Sequence, residues 1–73
     1  MTRFRRAVGV PDGSRTTFET QTVFQIGSLR VLLNGILLDP DLGNGFVEGS
    51  PPAFEMKLAP RAGDTLWTFY REA

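Results

Sequence analysis

Glycine and proline interrupt this chain at short intervals, and this spacing restricts it to short structural elements. There are eight glycines and five prolines in 73 residues, and only Ser14–Ile26 runs for more than ten residues without either. That segment is rich in threonine and aromatic residues, which lose rotamer freedom in a helix and suit a pleated sheet. No segment carries a convincing amphipathic helical pattern. Short alternating segments between frequent turn residues predict an all-β domain.

About seven short strands are expected between the turns. They are placed at Arg3–Val8, Arg15–Thr20, Leu29–Leu33, Ile36–Asp39, Gly45–Glu48, Ala53–Leu58 and Thr65–Arg71. The segment Gln21–Ile26 is either a further short strand or an extended connection. Antiparallel strands of this number in a single domain, residues 1–73, predict a compact small β-sandwich or barrel.

The dipeptide Asn34-Gly35 is the strongest hairpin signal in the chain. A type I′ turn needs positive φ at both central residues, and asparagine and glycine tolerate it best. A two-residue loop at this point pairs Leu32 with Leu37 across the hairpin. The dipeptide is therefore predicted to be a structural turn that sets the register of two central strands.

Alternation along this hairpin separates two faces. The predicted core face consists of Leu29, Val31, Leu33, Ile36 and Leu38. The other face holds a cross-strand pair, Arg30 with Asp39, beside the opposed Leu32 and Leu37. Two opposed leucines are unusual on a solvated face. They are covered either within the chain or by another subunit.

The last strand, Thr65–Arg71, carries large apolar residues on both faces, unlike Ala53–Leu58, which alternates regularly. Leu66, Thr68 and Tyr70 point one way, and the residues that point the other way are Thr65, Trp67, Phe69 and Arg71. The strand is therefore either buried on both sides or has one face in an interface. In Ala53–Leu58 the inward residues are expected to be Phe54, Met56 and Leu58, which is typical of a half-buried strand.

The composition excludes most catalytic chemistry. Without cysteine or histidine the chain has no disulfides, no zinc site of the usual kind and no Cys or His nucleophile and base. Its turn aspartates, among them Asp12, Asp64 and the Asp39-Pro40-Asp41 segment, are explained by hydrogen bonds to the backbone. We expect no enzyme activity, no cofactor and no metal site.

Charge and size bear on possible partners. Eight basic and eight acidic residues give a formal net charge of zero, which argues against nucleic acid and membrane surfaces. The longest apolar stretch, around Leu29–Leu38, is too short to span a bilayer, and no targeting segment is expected. A core this small, without disulfides or metal, favours association, so a homo-oligomer is expected.

Arginine supplies seven of the eight basic residues, and Arg3, Arg5 and Arg6 cluster near the N-terminus. These three residues either pair with carboxylates on a partner, contact phosphate, or protect an edge strand from pairing with other chains. The candidate interface residues are Arg3, Arg5, Arg6, Leu32, Leu37, Trp67 and Phe69.

Several segments together resemble a small β-domain of tailed-bacteriophage virion proteins. They are Thr17–Thr20, the GSLRVLLNG hairpin Gly27–Gly35, Phe46–Glu48, the strand and APRAGD turn Phe54–Asp64, and Leu66–Tyr70. Such domains occur in tail fibres, baseplate attachments and small capsid or neck accessory proteins. The resemblance spans most of the chain and carries no catalytic residues.

The resemblance implies a non-enzymatic virion structural subunit, made in the host cytoplasm, that binds other virion proteins. Fibre proteins continue beyond such a module, whereas this chain ends at Ala73, so we expect a capsid decoration or cement protein. The alternative in the same class is a tail, neck or baseplate adaptor or fibre-attachment protein. A small nucleic-acid- or carbohydrate-binding module is the alternative of another class.

Overall fold

A computed structural model describes residues 2–38 and 45–73, and these residues form seven β-strands without a helix. The strands are β1 (Thr2–Arg6), β2 (Thr17–Glu19), β3 (Arg30–Leu33), β4 (Ile36–Leu37), β5 (Phe46–Glu48), β6 (Ala53–Met56) and β7 (Leu66–Arg71). Every strand pair is antiparallel. The prediction of a small all-β domain is confirmed, and each expected strand is present with ends that shift by up to a few residues.

The strands form two sheets with the core between them. The four-stranded sheet has the order β1-β7-β3-β4, and the three-stranded sheet has the order β2-β6-β5. Alternate residues from both sheets fill the core together with residues from the connections. Its buried hydrophobic members are Ala7, Phe18, Phe24, Leu29, Val31, Leu38, Phe46, Phe54, Met56, Leu66 and Tyr70.

Backbone and carboxylate hydrogen bonds also join the two sheets. After β1 the chain reaches the three-stranded sheet, where the backbone N–H of Val8 donates to the carbonyl oxygen of Glu19 at 2.7 Å. At the end of β5, the Glu48 carboxylate accepts hydrogen bonds from the backbone N–H groups of Gly27 at 2.7 Å and Leu29 at 3.1 Å. Because these two amides precede β3, Glu48 holds the start of that strand against the three-stranded sheet.

The segment Gln21–Ile26 is an extended connection, the second of the two structures expected for it. It makes one isolated bridge, between Phe24 and Glu72. The Tyr70 hydroxyl lies 2.7 Å from the Thr22 hydroxyl and accepts a hydrogen bond from the Thr22 backbone N–H at 3.2 Å. The connection is thereby attached to β7.

The central hairpin has the predicted register and turn. Leu32 lies opposite Leu37, and φ is +52° at Asn34 and +83° at Gly35, as a type I′ turn requires. The Asn34 side chain has a second role that the sequence analysis missed. Its oxygen accepts a hydrogen bond from the Thr65 backbone N–H at 2.9 Å, so the turn is attached to the residues just before β7.

Two residues predicted to lie in the core are exposed. Ile36 is 69% exposed, because β4 is a two-residue edge strand that begins directly after the turn. Leu58 is 62% exposed, because β6 ends at Met56 and the chain then bends. The predicted pairing of Arg30 with Asp39, like the Asp39-Pro40-Asp41 segment, lies outside the described residues.

We expect Gly35→Val to destabilise the fold by about 1–3 kcal/mol, because a β-branched residue is strained at positive φ. A Cβ atom at this position would meet no other heavy atom within 4 Å, so the cost arises in the backbone rather than from a clash. Urea unfolding of the unchanged protein and of Gly35→Val measures this loss of stability. The control is Gly35→Asn, which tolerates this conformation and should cost less; equal losses in both variants would contradict the explanation.

Candidate protein interface

The outward side of the four-stranded sheet brings most of the predicted interface residues together. In β7, Leu66, Thr68 and Tyr70 are buried, so Trp67 and Phe69 point away from the core. Pairing with β1 and β3 places other side chains beside these two. We call this surface the outer face; its residues are Thr2, Phe4, Arg6, Arg30, Leu32, Leu37, Trp67, Phe69 and Arg71.

The centre of the outer face is apolar and open to solvent. Phe4 is 54%, Phe69 45% and Leu37 61% exposed, while Leu32 and Trp67 are half-buried. Of the two interpretations of Leu32 and Leu37, cover from within the chain is wrong for the described residues. β7 is likewise not buried on both sides, although it is a central strand.

Aromatic contacts order this apolar centre. The ring of Phe4 stacks on that of Trp67 with centroids 5.1 Å apart and an angle of 21° between the planes. The Phe69 ring lies 6.3 Å from Phe4 in a tilted arrangement. Such contacts restrict the rotamers of these large exposed side chains.

Arginines border the apolar centre on several sides. The Arg6 guanidinium lies 5.3 Å from the centre of the Trp67 ring, a cation–π distance. Arg30 donates from Nη1 to the Leu29 carbonyl oxygen at 2.9 Å. Arg71 lies at the opposite end of β7 from Trp67 and is exposed.

Four members of the outer face, Thr2, Phe4, Arg30 and Arg71, were not among the predicted interface residues. Arg71 belongs to the outer face through the alternation of β7 itself. The other three belong to it through the pairing of β7 with β1 and β3, strands that lie far apart in the chain. The sequence signal for this placement was the alternation within each strand. Without the pairing, alternation does not tell which faces of different strands belong together.

The structure separates Arg3 and Arg5 from the other candidates. They lie on the opposite side of β1 from Phe4 and Arg6. Arg3 forms an ion pair within the chain, with its Nε 3.2 Å from the Glu72 carboxylate. Because β1 is an edge strand, arginines on both of its sides suit the role of protecting an unpaired edge.

Several of the described carboxylates accept hydrogen bonds that hold the backbone or a turn in place. Asp64 accepts hydrogen bonds from the Asn34 side-chain amide at 3.1 Å and from the Arg61 backbone N–H at 2.9 Å, and these lower the pKa of its carboxyl below 3.8. It lines a cleft of about 310 Å³ beside Arg6 and Pro11. Within residues 2–38 and 45–73, no three acidic side chains come together as metal ligands, and no helix could cross a membrane.

Comparison of the chain with protein-family models, curated proteins and solved structures gave no match. The candidate site is therefore described by its own geometry. It is an exposed sheet surface with an ordered aromatic and leucine centre and a border of arginines.

We expect the double variant Leu32→Ser with Leu37→Ser to remain folded, because both side chains lie on the outer face rather than in the core. The matched control is Leu29→Ser with Val31→Ser, which changes two fully buried residues of the same region. Each large-to-small core change costs about 2–5 kcal/mol, enough to unfold a domain of this size. Circular dichroism and thermal unfolding compare the two; unfolding of the outer-face variant would contradict the assignment.

The ion pair between Arg3 and Glu72 should make stability sensitive to acid. The hydrogen bond from Arg3, followed by one from Thr22, lowers the pKa of the Glu72 carboxyl below 4.5. Since the folded-state pKa is lowered, the pair stabilises the fold above about pH 4.5, and this contribution is lost as the pH falls through the lowered value. Glu72→Gln should therefore reduce stability at neutral pH and weaken its dependence on acid pH.

Urea unfolding at a series of pH values measures this effect. The control is Glu19→Gln, which removes a β2 carboxylate that forms no ion pair within the described residues. If the Glu72 and Glu19 variants follow the same pH dependence, the ion pair does not contribute.

Proposed function

We propose that this protein is a non-enzymatic structural subunit of a tailed-bacteriophage virion, a capsid decoration or cement protein that binds neighbouring capsid subunits. The observation that carries the proposal is the outer face, with five apolar side chains at its centre that the described chain leaves partly or largely exposed. The sequence resemblance to virion proteins is the reason for proposing a phage particle as the assembly. The residues of the outer face indicate how the protein would bind to that particle.

The composition of the outer face favours a protein partner. Protein interfaces are enriched in aromatic residues and arginine and depleted in lysine and acidic residues. Tryptophan, tyrosine and arginine dominate the binding energy of such interfaces, commonly near their centre. Here Trp67 lies beside Leu32 and stacks with Phe4, and the Arg6 guanidinium lies over its ring. A contiguous apolar surface on so small a domain is typical of an interaction site.

A cement protein acts mechanically, and the fold suits that role. The two sheets enclose one core, and the described polar side-chain atoms that are fully buried all have hydrogen-bond partners. Binding to a capsid stabilises the domain by mass action, while the domain holds adjacent capsid subunits together.

The test is the composition of particles produced by the phage genome that encodes this chain. Heads and tails are separated after dissociation, and mass spectrometry determines which fraction contains the protein. We expect it in the head fraction. Presence in the tail fraction would favour the adaptor or fibre-attachment role, and absence from both would overturn the proposal.

Purified protein should also bind heads that lack it, whereas Leu32→Ser with Leu37→Ser should bind at least about tenfold more weakly, as expected for central interface residues. Co-sedimentation with the heads measures this. The control is Ile36→Ser, which changes the exposed neighbour of Leu37 on the other side of β4. Unchanged binding of the double variant would place the contact elsewhere on the domain.

A further inference from the structure

The charged residues of this neutral chain are distributed unevenly over the two sheets. Among the described residues the outer face has no aspartate or glutamate, and its three arginines are Arg6, Arg30 and Arg71. The outward side of the three-stranded sheet carries the exposed Glu19 and Glu55 instead. The formal net charge of zero therefore conceals a positively charged face.

Arg6 and Arg71 have no carboxylate partner among the described residues. Among the described residues the ion pair is formed by Arg3 and Glu72, which lie off the outer face. Arg6 and Arg71 form no ion pair there, and the Arg6 guanidinium is held over the Trp67 ring. Such stacking orders a guanidinium and leaves its N–H groups free to donate within the plane.

If a partner buries the apolar centre, the groups that it places opposite these two guanidinium groups are restricted. A partner that covers Phe4, Trp67 and Phe69 also removes water from Arg6 and Arg71, which lie beside them. A charged group that loses water without a counter-charge is costly, whereas a bidentate hydrogen bond with a carboxylate offsets that cost. The described part of the outer face provides no such carboxylate. Asp64 lines a cleft with Arg6 but already accepts hydrogen bonds from Asn34 and Arg61, so the partner must supply the counter-charge.

This requirement argues against a symmetric dimer through the outer face. In a two-fold interface each copy presents the same surface. Two outer faces would enclose six arginines and no acidic residue from the described strands, and like charges across an interface are unfavourable. Any association of copies therefore uses a different surface.

We propose that the outer face binds a different protein surface, one whose apolar centre is flanked by aspartate and glutamate side chains that pair with Arg6 and Arg71. The proposal rests on the proposed function, because the partner it describes is a virion subunit. It adds the chemistry of that partner and two residues that determine which surface is recognised.

The experiment measures binding to heads that lack the protein for Arg6→Glu, Arg71→Glu and the double variant. The matched control is Arg5→Glu, on the same edge strand but the opposite side. We expect the double variant to bind about 100-fold more weakly, since charge reversal opposes like charges. The control should remain within about twofold of the unchanged protein, as expected for a charge outside the interface. Circular dichroism confirms that each variant is folded.

Two double variants that do not reverse the charge separate the effect of positive charge from that of guanidinium geometry. Arg6→Lys with Arg71→Lys keeps both charges but loses bidentate geometry, so its binding should lie between that of the unchanged protein and that of Arg6→Gln with Arg71→Gln. Binding of the unchanged protein should weaken with rising salt, and the glutamine variant should show a smaller dependence.

The outcomes distinguish this inference from the proposed function. If the unchanged protein binds neither heads nor tails, the proposed function fails and the inference fails with it. If the unchanged protein binds and the double charge reversal behaves like Arg5→Glu, the inference alone is overturned. A concentration-dependent dimer that Leu32→Ser with Leu37→Ser abolishes would also overturn it in favour of a symmetric interface.

A final measurement tests nucleic acid as the occupant. Trp67 is the only tryptophan in the chain, so its fluorescence reports directly on the outer face. Titration with an oligothymidylate should leave that fluorescence unchanged. Saturable, salt-sensitive quenching that is lost in the double charge reversal would overturn the proposal and assign the face to single-stranded nucleic acid, which stacks on aromatic side chains beside basic residues.

Discussion

The antiparallel pairing of β7 with β1 on one side and β3 on the other supports both the core and the outer face. Inward residues of β7 enter the core, where the Tyr70 hydroxyl also holds the connection between β2 and β3. Its outward residues, Trp67 and Phe69, form the centre of the exposed surface. Because successive side chains of a strand alternate between faces, loss of the β7 register would disturb the two surfaces together.

Placement of β7 at the centre of its sheet also explains why a small neutral chain can present a distinctive surface. Strands from the two ends of the chain and from its middle come side by side, so their aromatic residues form one group although they are far apart in sequence. The same pairing collects arginines at the border of this group, while exposed glutamates lie on the other sheet. The uneven charge distribution is thus a consequence of topology.

Much of the architecture was accessible from local patterns. Asn34 and Gly35 predicted a type I′ turn because few residues accept positive φ. The two-residue length of that turn then determined that Leu32 faces Leu37. Predictions failed where burial depended on the length of an element. Ile36 and Leu58 continue the alternation of their strands but lie at positions where the opposite sheet gives no cover.

By itself the sequence determined the class of fold, the turn positions, the separation of inward from outward residues within most strands, and the absence of cysteine and histidine chemistry. These properties depend on backbone conformations and side-chain alternation over a few residues. Only the tertiary structure decided that Phe4 and Arg30 join Trp67 and Arg71 on one face and that Arg3 instead pairs with Glu72. Strand order arises from the burial of a shared core by distant segments, and no local pattern specifies which strands become neighbours.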